Sequence, residues 1–163
     1  MEQLKDVNPN EVFTYNIVGP LLDRPDVTIG IATVPKVLHS KCAVGAAVTY
    51  VGPGRAVILC DDIHDEAPDN VKGFLELHEI GHVVNGDLER LASQKSQGII
   101  NLTRFLPWSE TKKAEYRADA YAVSKIGKKE VLYGLEYLYR MVEFPLLTKL
   151  ELRSRINRII KEA

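Results

Sequence analysis

Ten consecutive residues near the middle of the chain carry its clearest chemical pattern. Residues 78–87 read His-Glu-Ile-Gly-His-Val-Val-Asn-Gly-Asp and open with the pattern H-E-x-x-H. In a helix, His78 and His82 lie about 6 Å apart along one face, so both imidazoles can bind one metal ion. Glu79 is rotated away from that ion and can accept a proton from a water bound to it. The spacing therefore predicts a zinc site with Glu79 as general base.

A catalytic zinc ion needs a third protein ligand, because such sites use three protein groups and leave the fourth position to water or substrate. No histidine follows His82, so the third ligand is a carboxylate or, less favoured, a cysteine. Glu115 and Asp119 lie four residues apart on a predicted helix. Ala118 and Ala122 have small side chains that permit close approach of a neighbouring helix. Glu115 is predicted to be the ligand, and Asp119 to accept the remaining N–H of a histidine ligand.

The two segments together resemble the signatures of a known family. Residues 78–87 match H-E-x-x-H followed by N-G-D, and residues 115–122 match E-x-x-A-D-x-x-A. Both patterns are similar to those in the soluble catalytic core of HtpX-type and CAAX-prenyl-endoprotease-type metallopeptidases, which are gluzincins. The resemblance covers roughly the second half of the chain. It implies one Zn²⁺ ion, the same three ligands, the same base and the same hydrogen-bond acceptor.

The resemblance also implies where a peptide substrate binds. In gluzincins the strand before the zinc helix forms the rim of the cleft, and an extended peptide adds to its edge as a further strand. Here that strand is Arg55–Asp61, which includes Arg55, Ala56, Val57, Ile58 and Leu59. Recognition of this kind reads backbone and predicts modest sequence selectivity. An ordinary edge or central strand is the equally favoured alternative.

A group that stabilises the oxyanion is also expected in such a site. Family members carry a late histidine followed by an Arg-Ile pair, whereas this chain has only the pair, at Arg155 and Ile156. The resemblance therefore does not supply this group. The candidates for stabilising the oxyanion are Tyr137, Arg153 and Arg155.

Other functions share parts of this pattern. A small cytoplasmic repressor-cleaving metallopeptidase of mobile elements is similar in H-E-x-x-H followed by E-x-x-A, although N-G-D favours the first family. A latent form or a metal-stabilised interaction module would use the same ligands without catalysis. Metzincins are excluded, because Asn85 and Leu88 stand where that class needs Gly and His.

Composition limits the remaining classes. The chain has 163 residues, of which 45% are apolar, so the simplest expectation is a single domain over residues 1–163 with one core. Its 21 basic and 22 acidic residues nearly balance, which predicts neither nucleic acid nor an anionic membrane surface as partner. No secretory signal or apolar span is recognisable, so we expect a cytoplasmic protein that acts on protein or peptide. The oligomeric state is not indicated.

The hydrophobic pattern predicts strands in the first half of the chain. Residues 27–34 are rich in β-branched side chains and end at Pro35. Residues 43–51 and 55–60 flank Gly52-Pro53-Gly54 and are predicted to form a hairpin. Residues 12–18 are a weaker strand that ends at Gly19-Pro20. An acidic loop over residues 61–69 leads into the zinc helix.

Helices are predicted for the second half. The zinc helix spans residues 71–86, and a second helix runs from Asp87 to Gln97. A third is capped by Ser109 or Thr111 and stops at Gly127, and two more cover residues 128–142 and 146–161. The expected fold is α+β: a small, twisted, mostly antiparallel sheet in residues 1–69, packed on the zinc helix, and a helical C-terminal half in residues 70–163. This is a zincin-like minimal catalytic domain.

Overall fold

The structure, a computed structural model, describes residues 16–34, 45–90 and 107–162. The chain divides into two compact units with a boundary between Pro68 and Asp69. The first unit contains a four-stranded sheet and a short helix, and the second is helical. The fold class is therefore α+β, as predicted.

The four strands form a mixed sheet in the order β1-β2-β4-β3. Their bounds are Asn16–Leu21, Arg24–Thr33, Ala46–Gly52 and Arg55–Cys60 for β1 to β4. β1 pairs antiparallel with β2, and β3 pairs antiparallel with β4, whereas β2 and β4 are parallel. The predicted β2 strand and the β3–β4 hairpin are confirmed, but the parallel pair makes the sheet mixed.

β1 continues through the residues that were predicted to end it. It runs across Gly19 and Pro20 as far as Leu21, with an irregular register between Ile17 and Gly19. Among the described residues β1 pairs only with β2, so it is an edge strand on which the missing N–H of proline costs no ladder hydrogen bond. The Gly-Pro step was therefore a wrong stop signal.

β4 lies inside the sheet, and this corrects the prediction of a substrate-binding rim. Both of its edges are paired, with β2 on one side and β3 on the other. All of its residues except the first, Arg55, are buried. An extended peptide therefore cannot add to the edge of Arg55, Ala56, Val57, Ile58 and Leu59. A strand buried on both faces has a continuous apolar sequence that does not reveal whether its edge is open.

The acidic segment after β4 is a helix where a loop was predicted. The helix α1 spans Asp62–Glu66 and is capped by Asp61. The Asp61 carboxylate accepts hydrogen bonds from the backbone N–H groups of Ile63, at 2.9 Å, and His64, at 3.3 Å. Capping at this end, with acidic residues in the first turn, stabilises even a short helix.

The second unit consists of longer helices with short connections. Their bounds are Asp69–Val84, Pro107–Ile126, Lys128–Met141 and Leu146–Lys161 for α2 to α5. α3 begins at Pro107 and not at the predicted caps, because proline suits the first helical position. Residues 87–90 are helical, and the rest of the helix predicted to reach Gln97 lies outside the described residues. None of the described helices combines the length and apolar content needed to cross a bilayer.

Two glycines allow the helices of this unit to approach closely. A Cβ atom on Gly81 of α2 would lie 2.9 Å from the Cα atom of Ala118 on α3, so the two backbones touch at this point. A Cβ atom on Gly134 of α4 would collide with the ring of Phe74 on α2. Around these contacts the core is formed by fully buried side chains that include Val71, Phe74, Val131, Leu135, Leu138 and Leu152. The close contact between α2 and α3 sets the position of the predicted metal site.

Candidate metal centre

The crossing of α2 and α3 brings together the three predicted ligands. Gly81 lies next to His82 on α2, and Ala118 lies one turn after Glu115 on α3, so the contact between them carries Glu115 to the two histidines. The Nε2 atom of His78 lies 3.0 Å from Oε2 of Glu115, and the Nε2 atom of His82 lies 3.3 Å from Oε1. The two Nε2 atoms are 3.2 Å apart. One nitrogen from each histidine and one carboxylate therefore converge on a common point.

The spacing of these three side chains is compatible with one zinc ion. Zinc bonds of about 2.0–2.1 Å at the tetrahedral angle separate neighbouring ligand atoms by about 3.3 Å. The 3.2 Å between the two Nε2 atoms is close to that value, and each of these atoms lies near a different oxygen of Glu115, at 3.0 Å from Oε2 for His78 and 3.3 Å from Oε1 for His82. Within the described residues, these three side chains are the group whose ligand atoms lie within 4.8 Å of one another. The donor set of two imidazoles and one carboxylate suits Zn²⁺.

The first histidine is held by a buried chain of charges, which we call the His78 arm and define as His78, Asp119 and Arg155. The Nδ1 atom of His78 lies 2.9 Å from Oδ1 of Asp119. Arg155 of α5 donates to both Asp119 oxygens, at 2.7 Å from Nε and 2.6 Å from Nη2. Its Nη1 atom also lies 3.0 Å from Oε2 of Glu115. Arg155 therefore fixes both a ligand and the group behind a ligand.

The second histidine is held by a more exposed set, the His82 arm, defined as His82, Asp87, Arg90 and Arg117. The Nδ1 atom of His82 lies 2.9 Å from Oδ2 of Asp87. The other Asp87 oxygen accepts hydrogen bonds from Arg90, at 2.7 Å, and Arg117, at 2.8 Å. Gly86, with a φ of 71°, turns the chain after α2 so that Asp87 reaches back to the histidine.

The contact of Asp87 with His82 was not predicted from the sequence. Asp87 entered only as the last letter of N-G-D, although it follows His82 by five residues and the turn residue Gly86 stands between them. The available signal was a carboxylate shortly after a predicted ligand, with a glycine directly before it that allows the chain to turn back toward that ligand. Asp119, in contrast, was predicted as the acceptor for a histidine N–H, and the structure brings it to His78.

The two outer carboxylates are ionised, which determines the histidine tautomers. Burial opposes the charge of Asp119, but Arg155 outweighs it and lowers the pKa of Asp119. Burial also opposes the charge of Asp87, and its hydrogen bonds to His82 and Arg117 lower the pKa of Asp87. Each carboxylate therefore accepts a hydrogen bond from a histidine Nδ1–H. Both Nε2 atoms then remain available to the centre.

The converging atoms need positive charge between them. Burial disfavours a charged His82, but its hydrogen bonds to Asp87 and Glu115 raise its pKa to about 10. Burial likewise opposes the charge on Glu115, yet His78 and Arg155 keep its pKa well below its usual range. Either protons or a metal cation can supply the charge at the centre, so a cation that binds there displaces protons.

Glu79 is a buried carboxylate beside the centre. Its residue is only 8% exposed, and burial, the largest cause, raises the pKa of Glu79 even though the two histidines lower it. Within the described residues no hydrogen-bond donor contacts its carboxylate. A carboxylate with a raised pKa next to a metal site is suited to proton transfer near neutral pH.

The three candidates for stabilising the oxyanion differ in their burial and in their contacts. Arg155 donates to Asp119 and Glu115 and so positions the ligands, which corrects its predicted role. Arg153 is exposed and, being two residues from Arg155 on α5, points to a different face of the helix. Tyr137 is half-buried on α4 and forms no hydrogen bond within the described part of the chain. Of the three, Arg155 contacts a ligand, and its guanidinium is already bound to Asp119 and Glu115.

These residues form a centre that could hold one divalent cation, with the buried Glu79 carboxylate beside it. The ligands come from α2 and α3, and α5 contributes Arg155 behind them. Comparison of the chain with models of known families, with curated proteins and with solved structures gave no match. The resemblance to gluzincins stays a prediction that depends on the two sequence motifs.

Proposed function

We propose that this protein is a zinc-dependent endopeptidase of the gluzincin type, with Glu79 as general base. The observation that carries the proposal is the convergence of His78, His82 and Glu115, whose ligand atoms lie within 4.8 Å of one another. When bound, the ion supplies Lewis acidity, which polarises a carbonyl and makes water acidic enough to lose a proton near neutral pH. The second unit is then the catalytic core of a zincin-like fold.

The residues of the chain divide the remaining work. Glu79 accepts a proton from the attacking water, whose oxygen adds to the scissile carbonyl carbon. Glu79 then passes that proton to the leaving amine as the C–N bond breaks, so one water is consumed for each bond cleaved. The raised pKa of Glu79 suits both directions of transfer. The two arms hold the imidazoles in one orientation throughout.

The proposed substrate is a protein or peptide bound in an extended conformation, and the proposed compartment is the cytoplasm. Because β4 has no open edge, backbone recognition by that strand is not part of the proposal. A repressor-cleaving peptidase of a mobile element would use the same centre and differs only in its substrate. A metal-stabilised interaction module would keep the ion without turnover.

Metal analysis combined with an activity assay tests the proposal. Purified wild type, Glu79→Gln, His78→Ala and Glu110→Gln are compared for zinc content and for hydrolysis of casein and of a fluorogenic peptide. Glu110 is an exposed carboxylate at the start of α3 and provides the matched control. We expect about one zinc per chain in wild type, Glu79→Gln and Glu110→Gln, and a loss of zinc in His78→Ala. Activity should fall by about 10²–10⁴-fold in Glu79→Gln and remain unchanged in Glu110→Gln.

Two results would contradict the proposal. Equal background turnover in wild type and Glu79→Gln, with zinc bound, would favour the interaction module. Wild-type protein that retains no divalent cation would remove the basis of the site altogether.

A further inference from the structure

One carboxylate near the centre has no role in the mechanism above. Glu151 lies on α5, four residues before Arg155, so the two side chains share a face of the helix. Helical side chains lean toward the N-terminus, which carries the Arg155 guanidinium over the turn that contains Glu151. Arg155 in turn contacts the ligand Glu115. Glu151 therefore borders the metal centre on the side where α5 meets it.

Glu151 forms no hydrogen bond or close ion pair within the described residues, because the nearby Arg155 already donates to Asp119 and Glu115. The side chain is half-buried. Burial first and the nearby charge of Glu115 second raise the pKa of Glu151, and together they outweigh the lowering effect of Arg155 and His78. Placing an unpaired carboxylate close to other carboxylates is unfavourable unless a cation joins it.

The surface next to Glu151 is apolar and exposed. Leu147, one turn before Glu151 on the same face of α5, is 70% exposed, and the neighbouring Leu146 and Leu150 are also exposed. An acceptor beside apolar surface matches the shape of a lysine or arginine side chain. Such side chains lay their aliphatic stems on apolar groups and present the charge at the tip.

We propose that Glu151 is a specificity-determining residue that binds a lysine or arginine side chain of the peptide substrate, with the stem of that side chain against Leu147. This inference rests on the proposed peptidase function and names the substrate class it acts on. The enzyme would then cleave near basic residues, with the cationic side chain held between Glu151 and the exposed leucines of α5.

Peptide binding to the zinc-loaded Glu79→Gln protein tests the inference without relying on turnover. The probes are peptides with an acetylated N-terminus and a fluorescent C-terminal label, with one central lysine or arginine or the neutral analogues norleucine or citrulline. Fluorescence anisotropy should show about tenfold tighter binding of the basic peptides. Adding Glu151→Gln should abolish that preference, and adding Glu151→Lys should reverse it toward a glutamate peptide. Glu143→Gln, which removes an exposed carboxylate before α5, should leave it unchanged.

The outcomes separate this inference from the proposed function. Peptide binding whose preference for basic residues survives Glu151→Gln would overturn the inference and leave the peptidase proposal intact. The neutral peptides are also tested without the acetyl group. If a free N-terminal amine alone makes them bind as tightly as the basic peptides, the assignment to a side chain is wrong. Failure of every peptide to bind would contradict both proposals. Circular dichroism and zinc content establish that each variant is folded and loaded.

Discussion

The two histidines of the centre are held by arms that use the same chemistry at different depths. In the His78 arm, the side chains of Asp119 and Arg155 are 2% and 6% exposed. In the His82 arm, the two arginines that hold Asp87 are 52% and 36% exposed. The first arm joins three helices that are distant in sequence. In the His82 arm, the carboxylate that contacts the histidine belongs to Asp87, only five residues after His82.

The difference in burial indicates which contacts stabilise the fold and which adjust the position of a ligand. A charge in the buried arm has no water to replace a lost partner, so removing one member leaves others uncompensated. The exposed arginines can exchange protein contacts for water at small cost. We therefore expect the His78 arm to determine whether the site exists, and the His82 arm to adjust its affinity.

The largest effect is expected from Arg155→Met. This substitution leaves the carboxylates of Asp119 and Glu115 buried without their cation, so the free energy of unfolding should fall by about 3–5 kcal/mol. Urea denaturation followed by circular dichroism measures it. Arg153→Met, an exposed neighbour on another face of α5, is the control and should stay within about 0.5 kcal/mol of wild type. Similar losses in both variants would show that the buried arm has no special role.

The pH dependence of zinc affinity tests the His82 arm separately. Because its hydrogen bonds to Asp87 and Glu115 outweigh burial and raise the pKa of His82 to about 10, zinc must displace a proton at lower pH. The affinity should therefore rise with pH, about tenfold per unit for each proton released, between about pH 6 and pH 8. Competition with a chromophoric chelator measures this slope. Asp87→Asn should lower the pKa of His82 and flatten the slope, and a pH-independent wild-type affinity would contradict the assignment.

Removing the carboxylate behind each histidine compares the arms directly. Groups that orient a metal-bound histidine typically change metal affinity by about 10–100-fold. We expect Asp119→Asn near the upper end, because Arg155 then loses its main partner inside the protein, and Asp87→Asn near the lower end. Zinc titration of both variants at one pH gives the ratio. Equal or reversed losses would refute the ranking of the arms.

The smallest effect is expected from Arg90→Met. Arg90 is half exposed, and Arg117 still donates to the same Asp87 oxygen, so unfolding free energy should change by less than about 1 kcal/mol. The double variant Arg90→Met/Arg117→Met should lose more than the sum of the single variants, because each arginine compensates for the other. Urea denaturation of all three variants tests this. Strict additivity would indicate that the two arginines act independently.

Much of the helical unit was predictable because helical periodicity acts over a few residues. His78 and His82 share a face in any regular helix, and Glu115 with Asp119 repeats that spacing. The bounds of α5 and the stop of α3 at Gly127 also follow from local signals. The start of α3 was misplaced because proline at a first helical position competes with serine or threonine as a cap.

Other features depended on contacts between distant segments. Whether β4 has an open edge depends on its pairing with β2, which lies more than twenty residues earlier. An apolar strand has the same kind of sequence whether it lies at the edge or in the middle of a sheet. Arg155 was one of three candidates for stabilising the oxyanion, among which the sequence did not choose. Its contacts with Asp119 and Glu115 follow only from the packing of α5.

The residue types of the centre follow from the amino-acid sequence: two imidazoles at helical spacing, the Glu79 carboxylate between them in sequence and a carboxylate on a second helix. Tertiary packing set which charges support each ligand, how deeply each arm is buried, and that Glu151 forms no close ion pair within the described residues. The reason is the distance along the chain over which each interaction acts. Helical spacing is set by backbone hydrogen bonds four residues apart, whereas burial and ion pairing are set by which helices touch.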